Sequence, residues 1–179
     1  MKKFIKSSLL LFTAFIAFTL SGCDSLQNFL FDLPIEFTIN ADGASNTSGS
    51  ESYCLTNDDT YQQYANKINS VTYADAYFVT REISDATLTG NVTFQLLDGN
   101  NNEILSYSDN NIVPADHDST NAYHLMLDQT QIDDINASLD SGNRCFTGVY
   151  SFEVTSGGNN SNNHIEIDIQ VLFTLDTSL

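Results

Sequence analysis

Residues 165–175 read IEIDIQVLFTL, and every odd-numbered position of this stretch holds an apolar side chain. Most even-numbered positions are polar, with Glu166, Asp168 and Gln170 among them. Successive side chains of a β-strand point to opposite faces, so a period of two places all the apolar residues on one face. The stretch therefore predicts a strand with one buried face.

The same alternation recurs along the rest of the chain. It occupies residues 35–39, 71–79, 92–96, 123–127 and 146–154, with shorter candidates at 52–55 and 103–107. In the second of these stretches, the period places Val71, Tyr73, Tyr77 and Val79 together on the buried face. About eight strands separated by Gly, Asn, Asp and Ser clusters predict a mainly β fold, an antiparallel β-sandwich of the immunoglobulin-like or a related kind.

Two segments depart from this pattern. Asp128 can cap a short helix near residues 129–140, with Gln131 at the spacing of a capping box and Gly142 able to end it. Residues 61–68 are compatible with one or two helical turns or with a polar loop. The polar stretches 40–52, 108–121 and 157–163 are predicted to be loops, where binding sites of β-sandwiches tend to lie.

The N-terminus has the layout of an export signal. Three lysines within the first six residues precede an apolar stretch, residues 9–20, and Leu20-Ser21-Gly22-Cys23 follows. This last run resembles the lipobox of bacterial lipoproteins. The resemblance implies cleavage before Cys23 by the lipoprotein signal peptidase, and attachment of diacylglycerol and acyl chains such as palmitate to Cys23.

This interpretation predicts three parts: a signal peptide at 1–22, a membrane-proximal tether at 23–30 and a single β-sandwich domain at 31–179. The expected location is the bacterial cell envelope, on the outer membrane or cell surface rather than the inner membrane, with the bilayer as a partner through Cys23. An uncleaved transmembrane helix is a competing interpretation, although residues 9–20 are shorter than the roughly 20 residues that a span needs. A third interpretation is that Cys23 is an ordinary thiol that follows an ordinary signal peptide.

The charge of the mature chain restricts its partners. Removing residues 1–22 leaves three basic side chains, Lys67, Arg81 and Arg144, against 23 acidic ones, a formal charge of −20. Nucleic-acid binding depends on cationic contacts to phosphate, so a nucleic-acid partner is excluded. An envelope protein or a polysaccharide is compatible with the hydrated, acidic surface.

Two further cysteines remain, Cys54 and Cys145. In an oxidising compartment an even pair predicts a disulfide. The sequence has no Cys-x-x-Cys motif and no histidine next to these cysteines, so a metal-binding or redox role is less favoured than a disulfide.

Two clusters carry oxygen or nitrogen ligands. Residues 98–103 read DGNNNE, which is compatible with a calcium loop but is typical of a hairpin turn. Asp116, His117, Asp118 and His124 are potential metal ligands, but surface histidines in a polar loop are the simpler interpretation. We therefore predict no metal site and no cofactor.

No nucleophile motif or phosphate-binding loop is present in the sequence. The sequence predicts a non-enzymatic envelope lipoprotein with a binding or structural role and no catalytic residues. The alternatives are a calcium-dependent adhesion or carbohydrate-binding module and an envelope hydrolase that uses a carboxylate pair.

Overall fold

The computed structural model describes residues 28–42, 46–157 and 164–178. The strands are β1 (Asn28–Asp42), β2 (Thr47–Cys54), β3 (Ile68–Ile83), β4 (Thr89–Leu97), β5 (Glu103–Ile112), β6 (Tyr123–His124), β7 (Cys145–Ser156) and β8 (His164–Ser178). Two α-helices, α1 (Asp59–Tyr64) and α2 (Gln129–Asp140), and two short 3-10 turns (Leu55–Asn57 and Pro114–Asp116) complete the secondary structure.

The strands form two four-stranded antiparallel sheets. One sheet has the order β1-β8-β3-β6, and the other has the order β2-β7-β4-β5. The first strand thus pairs with the last, and the chain crosses from one sheet to the other at every connection except β4–β5, which gives the order of an eight-stranded jelly roll. The predicted antiparallel β-sandwich is confirmed, and its strand order is that of a jelly roll.

The core lies between the two sheets. Strand β8 is central in its sheet, and all six of its predicted inward residues, Ile165 to Leu175 at odd positions, are buried. The facing sheet contributes Phe94, Phe146 and Phe152, which are almost fully buried, and the Phe37 and Phe94 rings lie 5.6 Å apart. For these strands, the alternation in the sequence correctly predicts which side chains face the core.

Strand β3 differs from the prediction because its register shifts between Tyr73 and Asp75. Such a bulge inserts one residue and turns the following side chains to the other face. Beyond the bulge the buried residues are Ala76, Phe78 and Thr80. The prediction that Tyr77 and Val79 lie on the buried face is therefore wrong.

Two loop predictions are also wrong in part. Most of the segment 40–52 belongs to β1 and β2, and the segment 108–121 begins with the last residues of β5. Strands β2 and β5 are the edges of their sheet, so solvent reaches them and polar residues are tolerated there. Strand β6 is shorter than predicted. Residues 158–163 of the third predicted loop lie outside the described residues.

Helix α2 joins the two sheets along one side of the sandwich. The predicted capping box is present: Asp128 N–H donates to Gln131 Oε1 (3.0 Å), and Gln131 N–H donates to Asp128 Oδ1 (2.9 Å). Gln131 Nε2 also donates to the Ser106 carbonyl of β5, and Asn136 Oδ1 accepts from the Tyr73 N–H of β3. Ile135 and Leu139 are buried, so the helix contributes to the core.

Candidate functional site

The predicted disulfide is confirmed, whereas the predicted lipid-attachment residue Cys23 lies outside the described residues. Cys54 ends β2, Cys145 begins β7, and the two residues are register partners joined by a disulfide. The bond fixes the end of the sandwich at which β1 begins and β8 finishes.

A surface pocket of about 550 Å³ opens beside this disulfide. It is formed by the 3-10 turn after β2, the β4–β5 turn and the connection from α2 to β7. The lining residues are Thr56, Gly99, Asn100, Ser141, Gly142, Asn143, Arg144 and Cys145. Arg144 is the charged member of this lining.

Arg144 is held mainly by neutral oxygens. Its Nε donates to the Tyr61 hydroxyl (3.1 Å), and its Nη1 donates to the carbonyls of Leu139 (2.6 Å) and Asn143 (2.7 Å). A cation next to the last carbonyls of a helix is favourable because the helix dipole is negative there. Among the described residues, Arg144 has no carboxylate partner. The pocket can hydrogen-bond a polar group, but its lining contains no pair of ionisable groups suited to hydrolysis.

The Asp98 loop is a hairpin turn, as the sequence predicts. Asp98 Oδ1 accepts from the N–H groups of Asn100 (2.7 Å) and Asn102 (2.8 Å), and Oδ2 accepts from Asn102 Nδ2 (3.0 Å). These bonds, the Asn102 side chain first, lower the pKa of Asp98 below its ordinary value. Asn101 takes a left-handed φ of 63°, which Asn tolerates well. Both carboxylate oxygens are thus already used within the turn.

The two histidines of the polar cluster have separate surroundings. The His117 ring packs edge-on against Phe78 and Tyr123, with centroids 5.6 and 4.8 Å away. His124 Nδ1 instead lies 2.9 Å from Asp75 Oδ2. In the three described segments, no group of three or more His, Cys, Asp or Glu side chains is placed to hold a metal ion.

A polar network on the outer face of the β1-β8-β3-β6 sheet was not predicted. The Arg81 guanidinium forms an ion pair with Asp168, which is only 1% exposed, and also bonds Glu36 Oε1 at 2.8 Å. Thr38 Oγ1 donates to the other Asp168 oxygen at 2.9 Å. The alternation in β8 indicates an outward Asp168, but only the pairing of β8 with β1 and β3 brings Thr38 and Arg81 to it.

A second unpredicted cluster joins the edge strands of the two sheets. Asp109 of β5 accepts hydrogen bonds from the hydroxyls of Tyr123 in β6 and of Tyr107, and the two hydroxyls are 3.1 Å apart. The bond from Tyr123 is the main reason that the pKa of Asp109 is lowered. Burial, followed by the neighbouring tyrosine, raises the pKa of Tyr107. The cluster closes the side of the sandwich between β5 and β6.

No family model and no curated protein matches the sequence. Among solved structures, the chain is similar to one from Desmodium yellow mottle tymovirus, at 13% identity and a TM-score of 0.42, covering 85% of this chain and 89% of that one. A chain from tobacco necrosis virus has 12% identity and a TM-score of 0.38, with 86% and 84% covered. At these scores, the similarities carry no argument about function.

In residues 28–42, 46–157 and 164–178, no helix combines the length and hydropathy needed to cross a bilayer. The described residues thus form a disulfide-bonded jelly-roll β-sandwich with a pocket beside the disulfide. Sequence reasoning predicted the disulfide and the turn that line this pocket, but it did not predict the role of Arg144. That role depends on Tyr61 and the end of α2 lying beside β7.

Proposed function

We propose that this chain is a lipid-anchored protein of the bacterial cell envelope, and that its jelly roll is a binding or structural module without catalytic activity. The observation that carries the proposal is the run Leu20-Ser21-Gly22-Cys23 after a basic and apolar N-terminal segment. Small residues before a cysteine at this position are the requirement of lipoprotein processing, and acyl chains on Cys23 would hold the protein firmly on a membrane.

Two features of the folded domain support this location. Stable disulfides persist in exported proteins and are rare in the reducing cytosol, so the Cys54–Cys145 bond fits an envelope protein. The formal charge of −20 in residues 23–179 favours solubility and disfavours binding to nucleic acid. These features apply to many exported proteins, which is why the lipobox remains the decisive observation.

The binding role is supported by the polar lining of the pocket and by the connections at the opposite end of the sandwich, residues 84–88 and 113–122. The partner is an envelope protein or a polysaccharide, because an acidic and hydroxyl-rich surface suits hydrogen bonding to such ligands. A calcium-dependent module would need six to eight oxygen ligands around one cation, whereas the Asp98 carboxylate accepts hydrogen bonds within its own turn.

The test is to express the full chain in a bacterium with an outer membrane and to determine the mass of its N-terminus after detergent extraction. We expect a chain beginning at Cys23 with the added mass of diacylglycerol and an acyl chain. The Cys23→Ala variant should keep residues 1–22 or lack the lipid. A free Cys23 thiol at the N-terminus of the wild-type chain would contradict the proposal, and an uncleaved wild-type chain would favour a transmembrane segment.

A further inference from the structure

The start of β1 exposes two large apolar side chains. Phe29 is 46% exposed and Leu30 is 65% exposed, and Met126 is the other exposed large apolar residue among those described. Because Phe29 and Leu30 are neighbours in a strand, they lie on opposite faces of the sheet. The tip of β1 therefore exposes apolar side chains on both faces of the sheet.

This tip is paired with the end of β8. Phe29 pairs with Thr177 and Leu30 pairs with Asp176 in an unbroken antiparallel register. The Thr177 hydroxyl, which is fully buried, also donates to the Phe29 carbonyl at 3.0 Å. The two side chains are therefore presented on ordered backbone.

The residues next to the tip suit a membrane interface. The Phe31 ring lies 5.7 Å from Phe29 and 5.2 Å from Tyr64 of α1. Lys67, one of three cations in residues 23–179, is exposed at the same end, where its carbonyl accepts from Ser178 N–H at 2.8 Å. Tyrosine and lysine are suited to the boundary between lipid and water because each combines an apolar body with a polar end.

The covalent chain identifies what covers this surface. Phe29 follows Cys23 by six positions, so the Cys23 backbone can lie at most about 22 Å from the tip. A protein packed on one face of the sheet would cover one of the two side chains, whereas a bilayer approached by the end of the sandwich covers both.

We propose, on the basis of the proposed lipid anchor, that the β1 tip inserts Phe29 and Leu30 into the bilayer interface and so fixes the orientation of the jelly roll. The contact depends on apolar burial, since the chain is strongly acidic, and it therefore needs no anionic lipid. Strands β3 and β5 end at the opposite side of the sandwich. The connections at 84–88 and 113–122 consequently point away from the membrane, toward partners.

The test uses the full, lipidated chain in phosphatidylcholine vesicles that contain a phosphatidylcholine brominated on its acyl chains. The sequence has no Trp, so Phe29→Trp and Leu30→Trp each introduce the single tryptophan of the chain at the tip, where it can be excited selectively over tyrosine. Met126→Trp is the matched control. Leu125, next to Met126, donates its N–H to the Ala76 carbonyl of β3. Ala76 and Ile35 both pair with Val171 of β8, so Met126 lies at the level of Ile35, near the other edge of the sheet. Ile35 is six residues after Phe29, so the control lies about 20 Å from the tip along the strand direction.

We expect the Phe29→Trp and Leu30→Trp emission to shift to the blue and to lose about half its intensity with brominated lipid, because side chains at this depth meet the upper acyl chains. The Met126→Trp emission should not change. If one tip variant fails to fold, the other decides the question.

Flotation of the vesicles and the mass of the N-terminus separate the two proposals. Lipidated protein that floats, but whose three variants respond alike, would overturn the orientation proposal and leave the anchor in place. Protein without lipid on Cys23 that does not float would overturn both.

Discussion

Cys54 and Cys145 are the terminal register pair of β2 and β7, and their disulfide joins positions 91 residues apart in sequence. The strands on either side of the bond lead directly into the 3-10 turn and the α2–β7 connection that line the pocket. The disulfide therefore holds the walls of the pocket as well as the edge of a sheet.

Replacing both cysteines, Cys54→Ser with Cys145→Ser, should lower the free energy of unfolding by about 2–5 kcal/mol, because the unfolded chain loses a constraint on a long loop. Urea unfolding of the wild type and the double variant measures the difference. A reductant should lower the stability of the wild type and leave the double variant unchanged. Equal stability of the two oxidised proteins would contradict the expectation.

Removing Arg81 should destabilise the fold by leaving the buried Asp168 carboxylate without its cation. Arg81→Met is expected to lower the thermal midpoint more than Lys67→Met, which removes an exposed cation. Adding Asp168→Asn to Arg81→Met should restore part of the loss, since a neutral amide needs no counter-charge. An additive double-variant cycle, measured by thermal unfolding, would show that the two side chains are not coupled.

The lowered pKa of Asp109 makes a pH-dependent contribution to stability. A carboxyl group whose native pKa lies below the ordinary 3.8 stabilises the fold above that pH, and the contribution disappears as the pH falls through the native value. Asp109→Asn should therefore be less stable than the wild type near neutral pH, and the gap should narrow in acid. Urea unfolding across an acid series measures this gap. Asp134→Asn, at an exposed position of α2, serves as the control for the loss of one surface carboxylate.

Gly148 is required by the close approach of a buried ring. A Cβ at Gly148 would lie 2.6 Å from Phe37 Cδ1, and Phe37 is fully buried. Gly148→Ala should therefore cost about 1–3 kcal/mol through overpacking. Gly49→Ala meets the half-buried Tyr150 ring instead, at 2.8 Å from its hydroxyl, and this ring can move toward solvent. Chemical unfolding should rank Gly148→Ala as the less stable variant, and the reverse order would contradict the packing argument.

Calcium should leave the stability of the domain unchanged. Both Asp98 oxygens accept hydrogen bonds from the turn, and no group of three or more His, Cys, Asp or Glu side chains among the described residues is placed to hold a cation. Thermal unfolding in millimolar calcium should match unfolding in a chelator at constant ionic strength. A midpoint of thermal unfolding several degrees higher in calcium would contradict this expectation and support the calcium-dependent module.

Edge and central strands differ in how well the sequence predicts them. Strand β8 has neighbours on both sides and a continuous buried face, and its alternation is interrupted only at Leu172. Strand β2 reads TSGSESYC because it lies at a sheet edge, and its period of two carries almost no hydropathy signal. Strand β6 shows the opposite error, because the alternation at 123–127 extends beyond the two residues that pair, Tyr123 and His124.

The candidate site divides in the same way. Asp98-Gly99-Asn100 predicts a turn because these residue types are typical of hairpin turns, and the turn forms at this position. The roles of Arg144 and Asp168 depend on residues far away in sequence, so no local pattern encodes them.

The sequence by itself determined the features that arise from short-range chemistry: the strand periods, the capping box of α2, the Asp98 turn and the lipobox-like run that predicts a membrane anchor. The tertiary structure decided the jelly-roll order, the face reversal in β3, the Arg81–Asp168 pair and the exposure of Phe29 and Leu30 at the tip of β1. The physical reason is that alternation reports which residues avoid water, whereas strand partners are selected only when the whole core closes.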